Sequence, residues 1–428
     1  MKYLRNLLAT LLALSMLLVC SGVLAEGLYD GDPITLTMMV FGQTGNVNAV
    51  NEIFFSHFPE IDRKVDIEFM LCEGEVALAE QLRLMMTAGE TLPDIIRLQY
   101  YMLPEFGAAG ILMDLGEVME PYMDDLIPEA LGIMMEGDTI YAMIYEIKPK
   151  VWYYRSDIFD ELGINPREIK TTDDFLEAGR IIHEAYPEKY INNLAVPNDP
   201  ASLMMRISGT PAAFCDEDGN FNVASDPYVK AAFEDLKKLA DSPYIAKIPG
   251  GTTEFQAAVA DGIIVSQLSG AWLKQHIIDW APDDGGKWAA ALWPEEWRPG
   301  SEAGGGIWVI SDSSPYKDIA ADFLVKYTND LGVQEDVYTT RGRIPPLLSI
   351  MESEVFQQPH PYFGPDLVSV TLETLETFQV FPYTNTFITQ QKIITQYLDE
   401  YIAGNLTVDE ALQRAQEDMI NQLGNAWH

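Results

Sequence analysis

Aromatic residues stand at several loops and strand ends of this 428-residue chain: Tyr100, Tyr101, Tyr145, Trp152, Trp272, Trp293, Trp297 and Trp308. A flat aromatic face suits the C–H-rich face of a sugar ring, and amide or carboxylate side chains beside it would hydrogen-bond the hydroxyls. Most tryptophans and tyrosines in a protein of this size pack in cores, so each must be weighed against that role. Trp272 has the strongest claim, because Ser269-Gly270 precedes it at a strand end.

Signs of catalysis are missing. The GxSxG elbow, HExxH and the phosphate-cradling GxxxxGK[ST] loop do not occur. His57, His183, His276, His360 and His428 are scattered without mutual spacing, and read as surface or satisfied core residues. Gly304-Gly305-Gly306 is not followed by a helix with a basic residue, and reads as a tight turn beside a cleft. Asp216-Glu-Asp218-Gly-Asn220 resembles a calcium loop, but Phe221 and Pro227 stand where an EF-hand needs Gly and Glu. A hairpin turn fits it better. Asp173-Asp174, Asp283-Asp284 and Glu295-Glu296 are adjacent pairs that cannot face each other across a substrate, and read as solvated charge. Cys72 and Cys215 lie in no CxxC or zinc spacing, and read as two separate thiols. No cofactor, metal or catalytic residue is implied.

The elements that position these residues begin with a strand over Ile34–Phe41 and a loop, Gly42–Asn46. A helix over 48–58 ends at Pro59, a strand covers 65–70, and a helix over 75–88 stops at Gly89. Pro93–Leu98 is a third strand. Strand, helix, strand, helix, strand is the parallel α/β pattern, with ligand-facing loops at the strands' carboxyl ends. Residues 140–154 read as an extended stretch broken by Pro149, a crossover rather than a core strand. Helices follow over 172–186 and over 226–240, with Asp226 as cap and Pro227 in the first turn. Residues 254–268 read as helix, Asp261-Gly262 turn and strand. Ile307–Ile310 reads as a second crossover, and helices over 316–328, 387–402 and 408–423 close the chain.

Composition sets outer limits. Hydrophobic residues make up 48% and aromatics 11%, ample for a packed interior. Lys2 and Arg5, an apolar run from Leu7 to Val19, and Val23 and Ala25 at cleavage spacing read as an export signal that leaves Glu26 first. Val19 disfavours Cys20 as a lipid-modified anchor. Loss of Lys2 and Arg5 takes the net charge from −38 to −40, a field that repels nucleic acid and favours a soluble monomer. A mature length near 400 residues exceeds what one core usually serves, so two lobes are expected.

Five separated stretches resemble the extracellular solute-binding proteins of family 1, which are similar to maltose-binding protein. They are Thr87-Ala-Gly-Glu-Thr-Leu-Pro-Asp94; Tyr153-Tyr-Arg-Ser-Asp-Ile-Phe-Asp-Glu-Leu-Gly-Ile164 with Thr172–Phe175; Phe255–Gly262 leading to Gly270-Ala-Trp272; Gly304–Ile310 with Ala320, Ala321 and Phe323; and Arg341-Gly-Arg-Ile-Pro345. Their order matches the family across nearly the whole mature chain. Two departures are Ile263-Ile264, where the family has Ala-Met, and Thr172-Asp173, where it has Thr-Trp.

The resemblance implies a two-lobed periplasmic-binding-protein-like α/β fold of type II that closes on a small molecule, a sugar in most of the family, and delivers it to the membrane subunits of an ABC permease. Lobes over 26–145 with 306–350, and over 146–305 with 351–428, are expected. Binding residues carried over are Gln43, Thr44 and Asn46 after the first strand, Gln99 and Tyr100 after the third, Tyr145 and Glu146 in the first crossover, Trp272 in the second lobe, Gly305 on the return, and Arg343. Only Trp272 and Gly305 lie inside the matching motifs; the others rest on loop position. A secreted glycosidase would also combine aromatics with carboxylates, but needs two carboxyls poised across a bond, which the sequence alone cannot pair. A surface adhesion module predicts repeats and sandwich spacing, which are not found.

Overall fold

A computed structural model describes residues 28–427 except 43, 196, 198 and 298–301, together with the backbone but not the side chains of 44–46 and 302–304. The leader, with Cys20, Ala25 and Glu26, lies outside the described residues, as do Gln43 and the side chains of Thr44 and Asn46. Among the described residues no helix is long and apolar enough to cross a membrane.

Seven strands form one sheet: β1 (Ile34–Phe41), β2 (Val65–Cys72), β3 (Ile95–Gln99), β4 (Ala142–Arg155), β5 (Ser266–Gly270), β6 (Trp288–Ala291) and β7 (Glu302–Ile310). Their order is β6-β4-β7-β3-β1-β2, with β5 also on β4. Helices α1 (Thr44–His57), α2 (Glu75–Ala88), α3 (Thr172–Ala185), α4 (Pro200–Ile207), α5 (Pro227–Asp241), α6 (Thr253–Ala260), α7 (Leu273–Trp280), α8 (Lys317–Asn329), α9 (Leu331–Arg341), α10 (Asp366–Leu375), α11 (Phe387–Ile402) and α12 (Val408–Leu423) pack around it.

The opening pattern is parallel as expected: β1 pairs with both β2 and β3 in parallel. Leu36, Met38, Met39 and Val40 are fully buried, as a strand covered on both faces requires. Gly89 ends α2 with φ 66°, a left-handed cap. The Asp94 carboxylate accepts from the Thr37 amide and hydroxyl on β1 and from Ser314 beyond β7, so the Pro-Asp motif ties three strands together. Asp226 caps α5 through the Tyr228 and Val229 amides. The Asp216 carboxylate accepts from the Asp218 and Asn220 amides inside an antiparallel turn, which is the hairpin reading.

Three expectations need correction. Helix α1 begins at Thr44, so the loop after β1 is far shorter than Gly42–Asn46. The stretch around Pro149 is an unbroken 14-residue core strand. Residues 142–147 of β4 pair with β7, whereas 150–155 pair with β5 and β6. Pro149 sits where β4 changes partners, so its missing N–H coincides with the seam between two ladders, and its carbonyl accepts from the Ala271 amide. The glycine run is no turn either. Gly305 and Gly306 lie within β7, where a Cβ would collide with the buried rings of Tyr100 and Tyr145 respectively.

Buried side chains fall into two clusters. One contains residues of β1, β2, β3, β7 and both halves of β4, with Trp288 of β6 and residues of α6, α7, α8 and α10; the other contains Trp152 with α3, α4, α5, α11 and α12. Cys72 belongs to the first and Cys215 to the second, and both are free thiols.

Candidate functional site

A cavity of about 440 Å³ opens where several elements end together. Phe41 and Gly42 close β1, Arg97 comes from β3, Glu146 and Lys148 from β4, Trp272 and Gln275 from the start of α7, and Arg341 and Arg343 from the turn after α9. Local structure fixes each of these. The Ile147 amide donates to the Ile344 carbonyl, which pins the Arg341–Pro345 turn onto β4. Gly342 adopts φ 65° and caps α9, while a Cβ there would sit 2.5 Å from Lys274 Cε. The Ala271 amide bonds to Pro149 and the Tyr153 hydroxyl donates to the Ala271 carbonyl, so the β5–α7 turn is clamped and Trp272 projects from it.

Trp272 is 39% exposed, whereas Trp152, Trp293, Trp297 and Trp308 are 2% exposed or less. The core role that competes for every tryptophan therefore applies to those four and not to Trp272. Along α7, Trp272 meets His276 edge-on at 5.6 Å, and His276 stacks on Trp280 at 5.4 Å, an aromatic ladder at four-residue spacing.

A second cavity of about 260 Å³ shares Lys148 and Trp272 with the first. Gln99, Tyr101, Met204, Tyr383 and Gln391 are among its walls. The two spaces thus border the same two side chains, Lys148 and Trp272. Gln99 donates to Glu75 at 3.0 Å, and both line this second cavity.

Charge is concentrated here. Lys148 Nζ lies 3.2 Å from Glu146, Arg97 donates to the Tyr145 hydroxyl at 2.6 Å, and Arg343 lies over the Tyr145 ring at 5.4 Å. Burial pushes the Glu146 carboxyl up, but Lys148, Arg343 and Arg97 together outweigh it and hold the group below the usual carboxylate range.

Of the residues expected at the site, Glu146, Trp272 and Arg343 line the first cavity and Gln99 the second. Tyr100, Tyr145 and Gly305 are buried behind the wall instead. The Tyr100 hydroxyl donates to the Glu146 carbonyl, and its ring covers Gly305, so these residues shape the wall from behind. Sequence reading missed Arg97, Lys148, Gln275, Asp279 and Arg341. Arg97 and Lys148 carried a signal, a single cation at an otherwise apolar strand end. Gln275 and Asp279 follow Trp272 on α7 at helical spacing, which periodicity could have flagged once Trp272 was chosen.

Beneath the cavity, Lys274 is 3% exposed and meets no carboxylate among the described residues. Its Nζ lies 4.9 Å over the Tyr338 ring, and burial pushes its ammonium down to about 8. Burial, and Lys274 after it, push the His360 imidazolium down to about 4. Because the folded-state value of Lys274 lies below the 10.5 of a free lysine, its charge costs stability in full below pH 8. The cost fades as pH rises from about 8 toward 10.5. Lys274→Met should therefore raise stability at pH 7 by up to about 3 kcal/mol, and the gain should shrink toward zero at alkaline pH. Urea midpoints of both proteins at pH 7 and pH 10 check this; a gap independent of pH contradicts it.

Comparison with known proteins agrees with this geometry. The family model described as bacterial extracellular solute-binding protein matches residues 63–362. The lactose-binding protein of Rhizobium radiobacter is 27% identical over 310 residues, covering 70% of this chain and 71% of that protein. The arabinooligosaccharide-binding protein of Halalkalibacterium halodurans is 24% identical over 354 residues, 78% of each chain. Among solved structures, the ABC transporter-associated binding protein of B. animalis subsp. lactis in complex with β-1,6-galactobiose has a TM-score of 0.76 at 22% identity. The match covers 91% of this chain and 97% of that one.

Proposed function

The chain belongs to the bacterial extracellular solute-binding protein family, and from that premise we propose that it captures a saccharide in the Trp272 cleft and delivers it to an ABC permease. The observation that carries the reading is the half-exposed Trp272 indole, which borders both a charged cavity and a mixed polar and aromatic one that share Lys148. An aromatic face between hydrogen-bonding walls is what a sugar ring needs. The relatives named for lactose and arabinooligosaccharides support the same ligand class.

Closure of two lobes, 26–145 with 306–350 and 146–305 with 351–428, completes the site in this reading. The change of strand partners at Pro149 supports a division there. Binding without hydrolysis is the expected chemistry. A glycosidase needs a carboxylic acid with a raised pKa, and Glu146 on this wall is held below the usual range.

A panel of oligosaccharides tested by thermal unfolding decides the ligand class, since ligand at a hundredfold over its Kd adds about 2.7 kcal/mol. The expected result is stabilisation by at least one saccharide, recovered intact afterwards, with a smaller radius of gyration in the complex. Stabilisation only by a non-sugar solute, or recovery of cleaved sugar, sinks the reading. Export completes the proposal: cleavage after Ala25 leaves Glu26 first and no lipid. Intact mass of the secreted protein checks it, and a diacylated Cys20 would overturn it.

A further inference from the structure

The cleft and the rest of the molecule carry opposite charge. The whole chain has 27 Lys and Arg against 65 Asp and Glu, a net charge of −38. The wall of the first cavity reverses that balance: Arg97, Lys148, Arg341 and Arg343 stand against Glu146 and Asp279. Four cations and two carboxylates leave a local surplus of positive charge in a strongly acidic protein.

The partners of these groups sharpen the imbalance. Glu146 is shared among Lys148, Arg343 and Arg97, one carboxylate facing three cations. Arg97 spends its Nε on the Tyr145 hydroxyl and one Nη on the Phe41 carbonyl, and its Nη2 has no hydrogen bond among the described residues. The exposed Arg341 side chain makes no hydrogen bond or ion pair among the described residues. Asp279 accepts from Gln275 and offers these cations no ion pair within 4.0 Å.

Arginine and lysine side chains only donate, whereas sugar hydroxyls donate and accept. Enclosing a neutral sugar among surplus cations would strip their water and return no counter-charge, which is costly. An anionic group on the sugar removes that cost and matches the guanidinium fork in two hydrogen bonds. The net acidity of the chain sharpens the contrast, because screening at physiological salt confines each group's field to about 8 Å and leaves the local surplus of cations to dominate inside the cavity.

We propose that the captured saccharide is acidic, bearing a carboxylate or a sulfate ester that Arg97, Lys148, Arg341 and Arg343 receive beside the Trp272 platform. The inference rests on the saccharide reading above. Its test is calorimetric titration of the whole exported protein with matched disaccharides on glucose and galactose skeletons: the neutral parent, the uronic acid and the sulfate ester. The acidic member of a pair should bind at least about tenfold tighter than its neutral parent, and its affinity should fall as sodium chloride rises from 20 to 500 mM. The tighter of the two acids identifies the anion. Arg341→Gln, an exposed change that leaves folding intact, should weaken the acidic ligand about tenfold more than it weakens the neutral parent. Neutral parents that bind as tightly as their acids, or an acid whose affinity ignores Arg341→Gln, overturn the inference while leaving saccharide capture standing. Failure of every saccharide to bind overturns saccharide capture itself, and this inference with it.

Discussion

Replacing Trp272 with alanine lowers affinity for the captured saccharide by about thirtyfold or more, with the protein still folded. The binding loss follows from truncating a central aromatic anchor, about 2 kcal/mol or more. Trp272 and Lys148 border both cavities, so the lost face is one that a ligand spanning them would meet. Stability should change by only about 1 kcal/mol, because a residue already 39% exposed leaves no sealed void behind. A core tryptophan would cost about 3–5 kcal/mol instead. Titration and thermal unfolding on the same variant separate the two outcomes. Ligand-induced change in tryptophan fluorescence should also shrink, since Trp152, Trp288, Trp293, Trp297 and Trp308 are each 2% exposed or less. A variant that melts far lower while its folded fraction binds normally would make Trp272 structural and remove it from the site.

Gly306→Ala should be among the most destabilising methyl additions in the chain, costing about 3 kcal/mol or more. The added Cβ points straight into the Tyr145 ring, which is 3% exposed and holds the Arg97 guanidinium at 2.6 Å. Neither side can yield cheaply. The ring is wedged against Trp308 at 5.3 Å, and β7 is bonded on both edges to β3 and β4. Because Tyr145 sits directly beneath Arg97 and Arg343, a forced shift also disturbs the cleft, so binding should weaken along with stability. A double-mutant cycle with Tyr145→Ala gives the decisive reading. Removing the ring costs about 3–5 kcal/mol alone, but it makes room for the methyl. The double variant should then lose at least about 1 kcal/mol less than the sum of the two singles. Simple additivity would mean that the glycine is not there to admit the ring.

These expectations draw on different levels of information. The α/β class and most helix and strand positions were legible in the sequence because they rest on local physics. Asp226-Pro227 starts a helix through its own side chain; Gly89 stops one by taking φ 66°. Helices α2, α11 and α12 fall where periodicity places them, since neighbours three and four residues apart decide which face is buried. Trp272 was legible for a related reason: a small-residue turn at a strand end exposes whatever follows it.

The wall of the site was not legible, because it is made by side chains brought together from five separate elements. Arg97 and Arg343 both approach the Tyr145 ring from positions far apart in the chain, and no local pattern records that meeting. Tyr100, Tyr145 and Gly305 stand at loop positions where ligand contacts are expected, yet their packing partners are one another: glycines in β7 admit two rings, and the rings face inward. Pro149 looked like a break because the missing N–H is visible in sequence, while the seam between two ladders that makes it harmless exists only in the folded sheet. Local propensity and composition therefore determined what kind of protein this is and where its elements run. Tertiary packing alone decided which side chains face the cleft, and with them the excess of positive charge inside a molecule whose sequence is overwhelmingly acidic.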